Sequence, residues 1–182
     1  RTMIVKELTQ IAYKPNAEGV LTRLRGLYDR RADGRIFAEM DVPSPALAAF
    51  RRDHPEGFCS APDPRERIAF WDGLLRERAA VEDDSIPSAY LSEFDQGLYG
   101  GLVGGEVRFL CDPETGWISS MVPPLIADWD EFDKMRLDEG HPWFKRYLDQ
   151  LEIYAEGAGD RFGLSHFILV DSLNFVFELF GA

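Results

Sequence analysis

Apolar residues recur along this chain with the period of an amphipathic helix in some windows and form short unbroken runs in others. The first pattern predicts helices, and Ser, Asp or Asn near a proline marks where several of them begin. The predicted helices run from Asn16 to near Gly34, Ser44 to Phe50, Asp63 to about Val81, over one turn from Asp128, His141 to about Gly157, and Ser172 to Phe180. The apolar runs predict three buried strands, over 35–42, 86–91 and 165–170, and a hairpin over 106–121.

Strands that alternate with amphipathic helices are typical of parallel βαβ units, because such strands can bury both faces only beneath helices. We therefore expect an α/β fold, with an N-terminal helical segment over 1–34 and the strand-bearing domain over 35–182. A closed barrel of eight strands takes roughly 200 to 250 residues. At 182 residues and three core strands, the chain is too short to close one.

The formal net charge of −12 repels phosphate backbones and anionic lipid, so neither nucleic acid nor a membrane is an expected partner. Cys59 and Cys111 lie far apart without metal-ligand spacing, which favours a reducing compartment. The sequence contains no apolar run of membrane-spanning length and no signal-peptide core. These features predict a cytoplasmic protein, and Arg1 in place of methionine indicates a processed chain or a fragment.

Acidic side chains stand directly after the second predicted strand. Glu93 and Asp95 follow the apolar run that ends at Leu91, and α/β proteins place their chemistry at the carboxyl ends of parallel strands. A half-buried carboxyl group there has its pKa raised by desolvation and can act as a general acid or base. Solvated loop carboxylates explain the two residues equally well. The glycines between Gly97 and Gly105 lack the lysine of a phosphate loop and predict tight turns.

Four parts of the chain follow one another in an order that a known group of proteins shares. They are residues 84–106, Trp117 with the helix start at Asp128-Trp129, residues 142–163, and residues 165–174 leading to Leu179-Phe180-Gly181. In this order the chain resembles the N-terminal half of uroporphyrinogen decarboxylase-like proteins, which are (β/α)8 barrels and include corrinoid-linked methyltransferases. The resemblance implies a partial (β/α)8 TIM-type barrel with an inserted hairpin, whose remaining strands are missing from this chain.

The decarboxylase motif Phe-Ser-Asp, whose aspartate holds the pyrrole nitrogens, matches Leu91-Ser92-Glu93 here, so the resemblance implies that role for Glu93. Its Arg-Gln-Ala-Gly-Arg motif, which pairs with substrate carboxylates, matches residues 40–44, where no arginine occurs. The active-site tyrosine matches Phe177 or Glu178. We therefore expect a substrate other than uroporphyrinogen itself.

The predicted activity is carboxylate-assisted proton or group transfer on a small organic or tetrapyrrole-related substrate, by a decarboxylase-like lyase or a methyltransferase. The predicted catalytic residues are Glu93, Asp95 and Asp171, and the predicted substrate-binding residues are Glu39, Asp41, Tyr90 and Asn174. No cofactor and no metal site is expected in this chain. A methyltransferase relative would need zinc ligands, which lie mostly in the missing half.

Less specific interpretations remain open. Asp83 and Asp84 are expected only to end a helix, and Asp171 with Asn174 to cap the last one. Alternatively, the chain is a non-catalytic binding or assembly module. In that case it forms a homodimer through an open sheet edge. Without the second copy, four apolar side chains would be left uncovered: Phe175, Phe177, Leu179 and Phe180.

Overall fold

The structure is a computed structural model that describes residues 10–32, 34–58, 62–165 and 172–181. Within these ranges, α-helices and short strands alternate along the chain. Their order is α1 (Ala17–Tyr28), α2 (Pro45–Asp53), α3 (Pro64–Glu77), β1 (Ser88–Tyr90), α4 (Gln96–Leu102), β2 (Arg108–Asp112), β3 (Trp117–Met121), α5 (Trp129–Phe132), α6 (Pro142–Ala158), β4 (Gly163–Ser165) and α7 (Ser172–Phe180). The fold is therefore mixed α/β, as predicted, and the strands of the described part form no closed barrel.

Side chains that the sequence marked as helix starts cap their helices. The hydroxyl oxygen of Ser44 accepts the N–H of Leu47 at 3.0 Å, and a carboxylate oxygen of Asp63 accepts the N–H of Arg65 at 2.7 Å. His141 also caps its helix through Nδ1. Each of these three capping residues precedes a proline at the first helical position. A backbone N–H at that position has no partner within the helix, so proline, which lacks the N–H, loses no hydrogen bond there.

The start and the end of α1 differ from the prediction. The side chain of Asn16 forms no capping bond, and its carbonyl oxygen instead accepts the N–H of Val20 at 3.1 Å. The helix ends at Tyr28, well before Gly34. Arg30 has a φ of 57°, a left-handed conformation that cannot continue an α-helix.

The strands form two separate pairs. β1 and β4 are parallel, as predicted for two successive strands of the core, with Ala89 opposite Leu164. β1 lies within the predicted strand 86–91, whereas β4 shares only Ser165 with the predicted strand 165–170. β2 and β3 are antiparallel and confirm the hairpin. Residues 166–170 of the predicted third strand lie outside the described residues.

The prediction of a buried first strand over 35–42 is wrong. The segment is irregular and mostly exposed. A carboxylate oxygen of Asp84 accepts the N–H of Ala38 at 3.2 Å, and one of Asp83 accepts the N–H of Met40 at 3.0 Å. Because side chains pair backbone groups that a strand ladder would need, the segment lies against these aspartates without joining a sheet.

The main core lies where α3 and α6 pack against each other and against β1. Both helices contribute the apolar stripes that their spacing predicts. The buried set is Ile68, Leu75, Ala89, Leu91, Tyr154, Ala158 and Phe162. None of the helices in the described part is long and apolar enough to cross a membrane.

Candidate functional site

Glu93 lies in a short 3₁₀ turn, Ser92–Phe94, directly after β1, and its side chain is 2% exposed. The Arg67 guanidinium on α3 contacts its carboxylate at 2.6 Å, and the hydroxyl of Tyr154 donates to the same oxygen at 3.3 Å. Arg67 also donates to the carbonyl of Gly116 at 2.6 Å. The pair thus joins α3, the end of β1 and the hairpin turn.

Aromatic rings surround the Arg67 guanidinium. The rings of Phe58, Phe70 and Trp71 have their centroids 5.2, 5.3 and 5.2 Å from its central carbon, within cation–π range. Burial in this apolar shell strengthens the attraction to Glu93 but requires that both charges stay paired. This arrangement gives Glu93 a structural role, and its catalytic role remains a prediction.

Asp95 follows the same turn and faces β3. Its carboxylate accepts the N–H of Ser120 at 2.8 Å and a hydrogen bond from the hydroxyl of Ser119. The Ser120 hydroxyl lies 3.2 Å from the same carboxylate and 2.8 Å from the carbonyl oxygen of Glu93. Burial raises the pKa of Asp95, and the serine hydrogen bonds only partly offset that rise.

Glu178 on α7 is a buried carboxyl group that the charge of Asp95 influences. Its residue is 4% exposed, and the N–H of Val122 donates to Oε1 at 3.0 Å. Oε2 is buried and has no hydrogen-bond partner in the described part of the chain. Burial, and then the charge of Asp95, raise the pKa of Glu178 to about 7.

Glycines in α4 allow β3 and α7 to approach this closely. A Cβ on Gly97 would lie 2.5 Å from the Ser120 hydroxyl, and one on Gly100 would lie 3.0 Å from Glu178 Oε1. These glycines are helical, so the prediction that they form tight turns is wrong for them. It holds at Gly104, which has a φ of 101°.

The structure brings some of the predicted site residues together. Tyr90 is the last residue of β1, so it lies at the same end of the strand as Glu93 and Asp95. Its ring stacks on that of Trp117, with the ring centroids 5.1 Å apart. Asn174 is exposed on α7. Asp171 lies outside the described residues.

Glu39 and Asp41 lie elsewhere, on the irregular segment. They line a cavity with a volume of about 480 Å³ whose opposite wall, residues 85–88, leads into β1. Glu93 and Asp95 follow the other end of that strand. The predicted substrate-binding acids and the predicted catalytic acids therefore belong to two separate places in the fold.

Sequence reasoning missed Arg67 and named Glu178 only as one of two positions that match the active-site tyrosine of the resembled family. Arg67 had a signal, because positions 67, 71 and 75 fall on one helical face and the other two are apolar. Glu178 is the only charged residue of α7, within an otherwise apolar C-terminal half, and that isolation was its signal. Among the described residues, no group of three His, Cys, Asp or Glu side chains could hold a metal ion.

Comparison with known proteins found no matching family model, no matching curated protein and no matching solved structure.

Proposed function

We propose that this chain belongs to a uroporphyrinogen decarboxylase-like barrel enzyme that transfers a proton or a group with the help of paired carboxyl groups. The substrate is a small organic or tetrapyrrole-related molecule other than uroporphyrinogen. The parallel β1–β4 pair, with α3 and α6 packed against it, is compatible with such a barrel. We further propose that the protein acts in the cytoplasm.

The observation that carries the proposal is the pair of carboxyl groups formed by Asp95 and Glu178. Burial raises the pKa of both groups, and that of Glu178 lies at about 7. A catalytic acid or base works best when its pKa is near the working pH. Glu178 is therefore suited to give up or take back a proton under neutral conditions.

The hydrogen bonds of Asp95 and Glu178 give the two carboxyl groups different roles in the proposed reaction. Asp95 receives several donors from Ser119 and Ser120, which favour its ionised form over that of its neighbour. Within the described ranges Glu178 receives one donor, the Val122 N–H, and it is the more readily protonated group. In the proposed reaction Glu178 donates its proton to the substrate, and Asp95 stabilises positive charge that develops beside it.

The absence of arginine at residues 40–44 argues against a substrate with many carboxylates. Glu39 and Asp41 carry the opposite sign from the guanidinium groups of the resembled motif. Like charges in a cleft disfavour binding by several kcal/mol. The methyltransferase alternative gains no supporting observation from the described residues.

The test is solvent deuterium uptake. Uroporphyrinogen, coproporphyrinogen and a monocyclic pyrrole acetate are incubated with the protein in D2O, and mass spectrometry follows deuterium incorporation and loss of CO2. We expect turnover of a probe other than uroporphyrinogen, with a rate that falls above about pH 7 as Glu178 loses its proton.

Glu178→Gln and Asp95→Asn should remove this turnover. Glu156→Gln and Asp149→Asn, which change exposed carboxylates on α6, serve as matched controls and should retain it. Turnover that survives in Glu178→Gln, or that has no dependence on pH near neutrality, contradicts the proposed role. So does the lack of turnover with every probe.

A second candidate, a homodimeric assembly module, is favoured by the outer face of α7. Leu173 is 76% exposed and Phe177 is 56% exposed. Leu179, which was expected to be uncovered, is fully buried. The exposed face of α7 carries no charge in a chain of net charge −12, so a second copy meets the least repulsion there.

Light scattering tests this candidate. A dimer that becomes a monomer in Leu173→Ser/Phe177→Ser, but persists in Leu137→Ser, supports it. Leu137 is the control because it is 59% exposed and lies outside α7. A wild-type protein that is monomeric at all concentrations excludes it.

A further inference from the structure

The cavity beside β1 has the size and the lining of a ligand site. Its volume of about 480 Å³ falls within the range of roughly 300 to 1,000 Å³ that small-molecule pockets occupy. Its walls are the irregular segment after residue 38, the first turn of α2, the C-terminal half of α3 and residues 85–88. Neither Asp95 nor Glu178 lines it, so it is separate from the proposed reaction site.

Apolar side chains form somewhat more than half of the cavity lining. Side chains from α2, α3 and the approach to β1 supply aromatic, aliphatic and proline surfaces. They are Leu47, Trp71, Leu74, Leu75, Ile86 and Pro87. This lining can cover a hydrocarbon or an aromatic ring and contributes about 25 cal/mol for each Å² of apolar surface removed from water.

The charges around the cavity are mainly negative. Its lining includes three carboxylates, Glu39, Asp41 and Glu77, and one guanidinium, Arg78. The single guanidinium does not offset all three carboxylates. Arg78 contacts Glu39 at 3.5 Å, donates to the carbonyl of Met40 at 2.6 Å, and shares the Asp83 carboxylate, at 2.7 Å, with Lys14. An anion entering the cavity therefore meets uncompensated negative charge.

The exposed rim carries the carboxylates that a ligand can reach. Glu77 is engaged inside the protein, where it accepts the N–H of Ala46 at 2.8 Å at the start of α2. Glu39 is 72% exposed and approaches Arg78 only at 3.5 Å, and Asp41 is exposed beside it. A positive charge at the rim would lie against Glu39 and Asp41, with its apolar body directed inward.

We propose that this cavity binds an organic monocation with an apolar body, such as an aryl- or alkylamine. The ammonium group lies at Glu39 and Asp41, and the hydrocarbon lies against Trp71 and Ile86. This site is additional to the proposed carboxyl chemistry and does not depend on it.

Three probes of similar shape and different charge test the assignment: phenethylamine, phenethyl alcohol and phenylacetate. Binding is followed by titration calorimetry and by the amide chemical shifts of Ser85, Ile86 and Ser88. We expect phenethylamine to bind with a Kd of about 1 mM, as befits so small a ligand. We expect phenylacetate to bind at least about tenfold more weakly, because it meets like charge.

Variants locate the site. Glu39→Gln/Asp41→Asn should weaken phenethylamine binding about tenfold at low salt, with the effect falling as salt is added. Glu82→Gln, which removes an exposed carboxylate that does not line the cavity, is the matched control and should leave the Kd unchanged. Leu74→Trp should block binding by filling the interior.

The outcomes decide the proposal. Equal binding of phenylacetate and phenethylamine, an unchanged Kd in the double variant, or no saturable binding of phenethylamine overturns it. Urea unfolding of each variant verifies that the fold is retained, so a loss of binding in a folded double variant supports it.

Discussion

Asp83 and Glu178 are buried carboxyl groups in two regions of one small fold, and their environments shift their pKa values in opposite directions. Burial alone would raise the pKa of Asp83, but hydrogen bonds from the Met40 N–H, Lys14 and Ser85 hold it far below the usual range. Glu178 has the Val122 N–H as its donor, and its pKa rises to about 7. Burial disfavours the charged form of both carboxyl groups, and at Asp83 the hydrogen bonds and the Lys14 cation outweigh that effect.

The two regions accordingly have different roles. The Asp83 carboxylate joins the buried ammonium of Lys14 at 2.9 Å, the guanidinium of Arg78 at 2.7 Å and the irregular segment, so it fixes chain geometry. One oxygen of Glu178 has no hydrogen-bond partner among the residues that the structure describes, and the charge of Asp95 acts on the group. Asp83 is therefore a structural anion, whereas the pKa of Glu178 lies near neutral pH.

The largest expected effect comes from the buried ion pair of Arg67 and Glu93 at the centre. Arg67→Met leaves Glu93 buried without its cation and should lower the free energy of unfolding by about 3 to 5 kcal/mol. Urea denaturation measures this change. Arg52→Met, which breaks an exposed pair with Asp53, is the control and should change stability by less than about 1 kcal/mol. A loss in Arg67→Met no larger than in the control would show that the central pair is not structural.

Asp83→Asn should have the next largest effect and lower the free energy of unfolding by about 3 kcal/mol. The Lys14 ammonium, which is 4% exposed, loses its buried counterion. The same urea experiment measures it. Asp29→Asn, in an exposed pair with Arg31, is the matched control. If Asp83→Asn is as stable as that control, the donors around Asp83 do not make it a structural anion.

The pH dependence of stability should separate the two regions by sign. A carboxyl group whose folded pKa is raised stabilises the fold below its unfolded pKa and loses that contribution as the pH rises through the folded value. For Glu178 this window lies between the ordinary value of 4.5 and about 7, and the full effect is about 3 kcal/mol. Asp83 acts oppositely, since its depressed pKa adds stability above the ordinary value of 3.8 that is lost in acid.

Glu178→Gln measures the first of these contributions. The variant should lose less stability than the wild type between about pH 5 and pH 8, because it cannot ionise. Glu156→Gln should keep the wild-type slope. Identical slopes in the wild type and Glu178→Gln would mean that Glu178 titrates as an ordinary carboxyl group.

A smaller effect is expected from Gly100→Ala. The new methyl group would crowd Val122 and lie 3.0 Å from Glu178 Oε1, so stability should fall by about 1 to 3 kcal/mol as α7 is displaced. Gly19→Ala in α1 is the control, where the nearest atom is the flexible end of Arg23 at 3.7 Å. An equal response at both positions would show that α4 does not set the spacing of β3 and α7.

Local chemistry made much of the fold predictable. Pro45, Pro64 and Pro142 mark helix starts because a proline ring fixes φ at a value that helices need, and each capping residue precedes its proline. The parallel β1–β4 pair follows from short apolar runs separated by amphipathic helices.

The parts that could not be predicted depend on distant contacts. The apolar residues in 35–42 predict a buried strand. In the structure the carboxylates of Asp83 and Asp84, more than forty positions away in the sequence, accept hydrogen bonds from backbone N–H groups of this segment instead. Glu93 was placed correctly after β1, yet its partner Arg67 is known only once α3 packs there. The pKa of Glu178 depends on burial and on the charge of Asp95, and neither can be predicted from the neighbouring residues in the sequence.

The most direct test is a 13C NMR titration of the side-chain carboxyl groups, with assignments from Glu178→Gln, Asp95→Asn and Asp83→Asn. We expect the Glu178 resonance to titrate with a midpoint of about 7. Asp83 should stay ionised well below its ordinary value of 3.8. A Glu178 midpoint at its ordinary value of 4.5 would contradict the account, because the carboxyl pair would then have no proton to exchange at neutral pH.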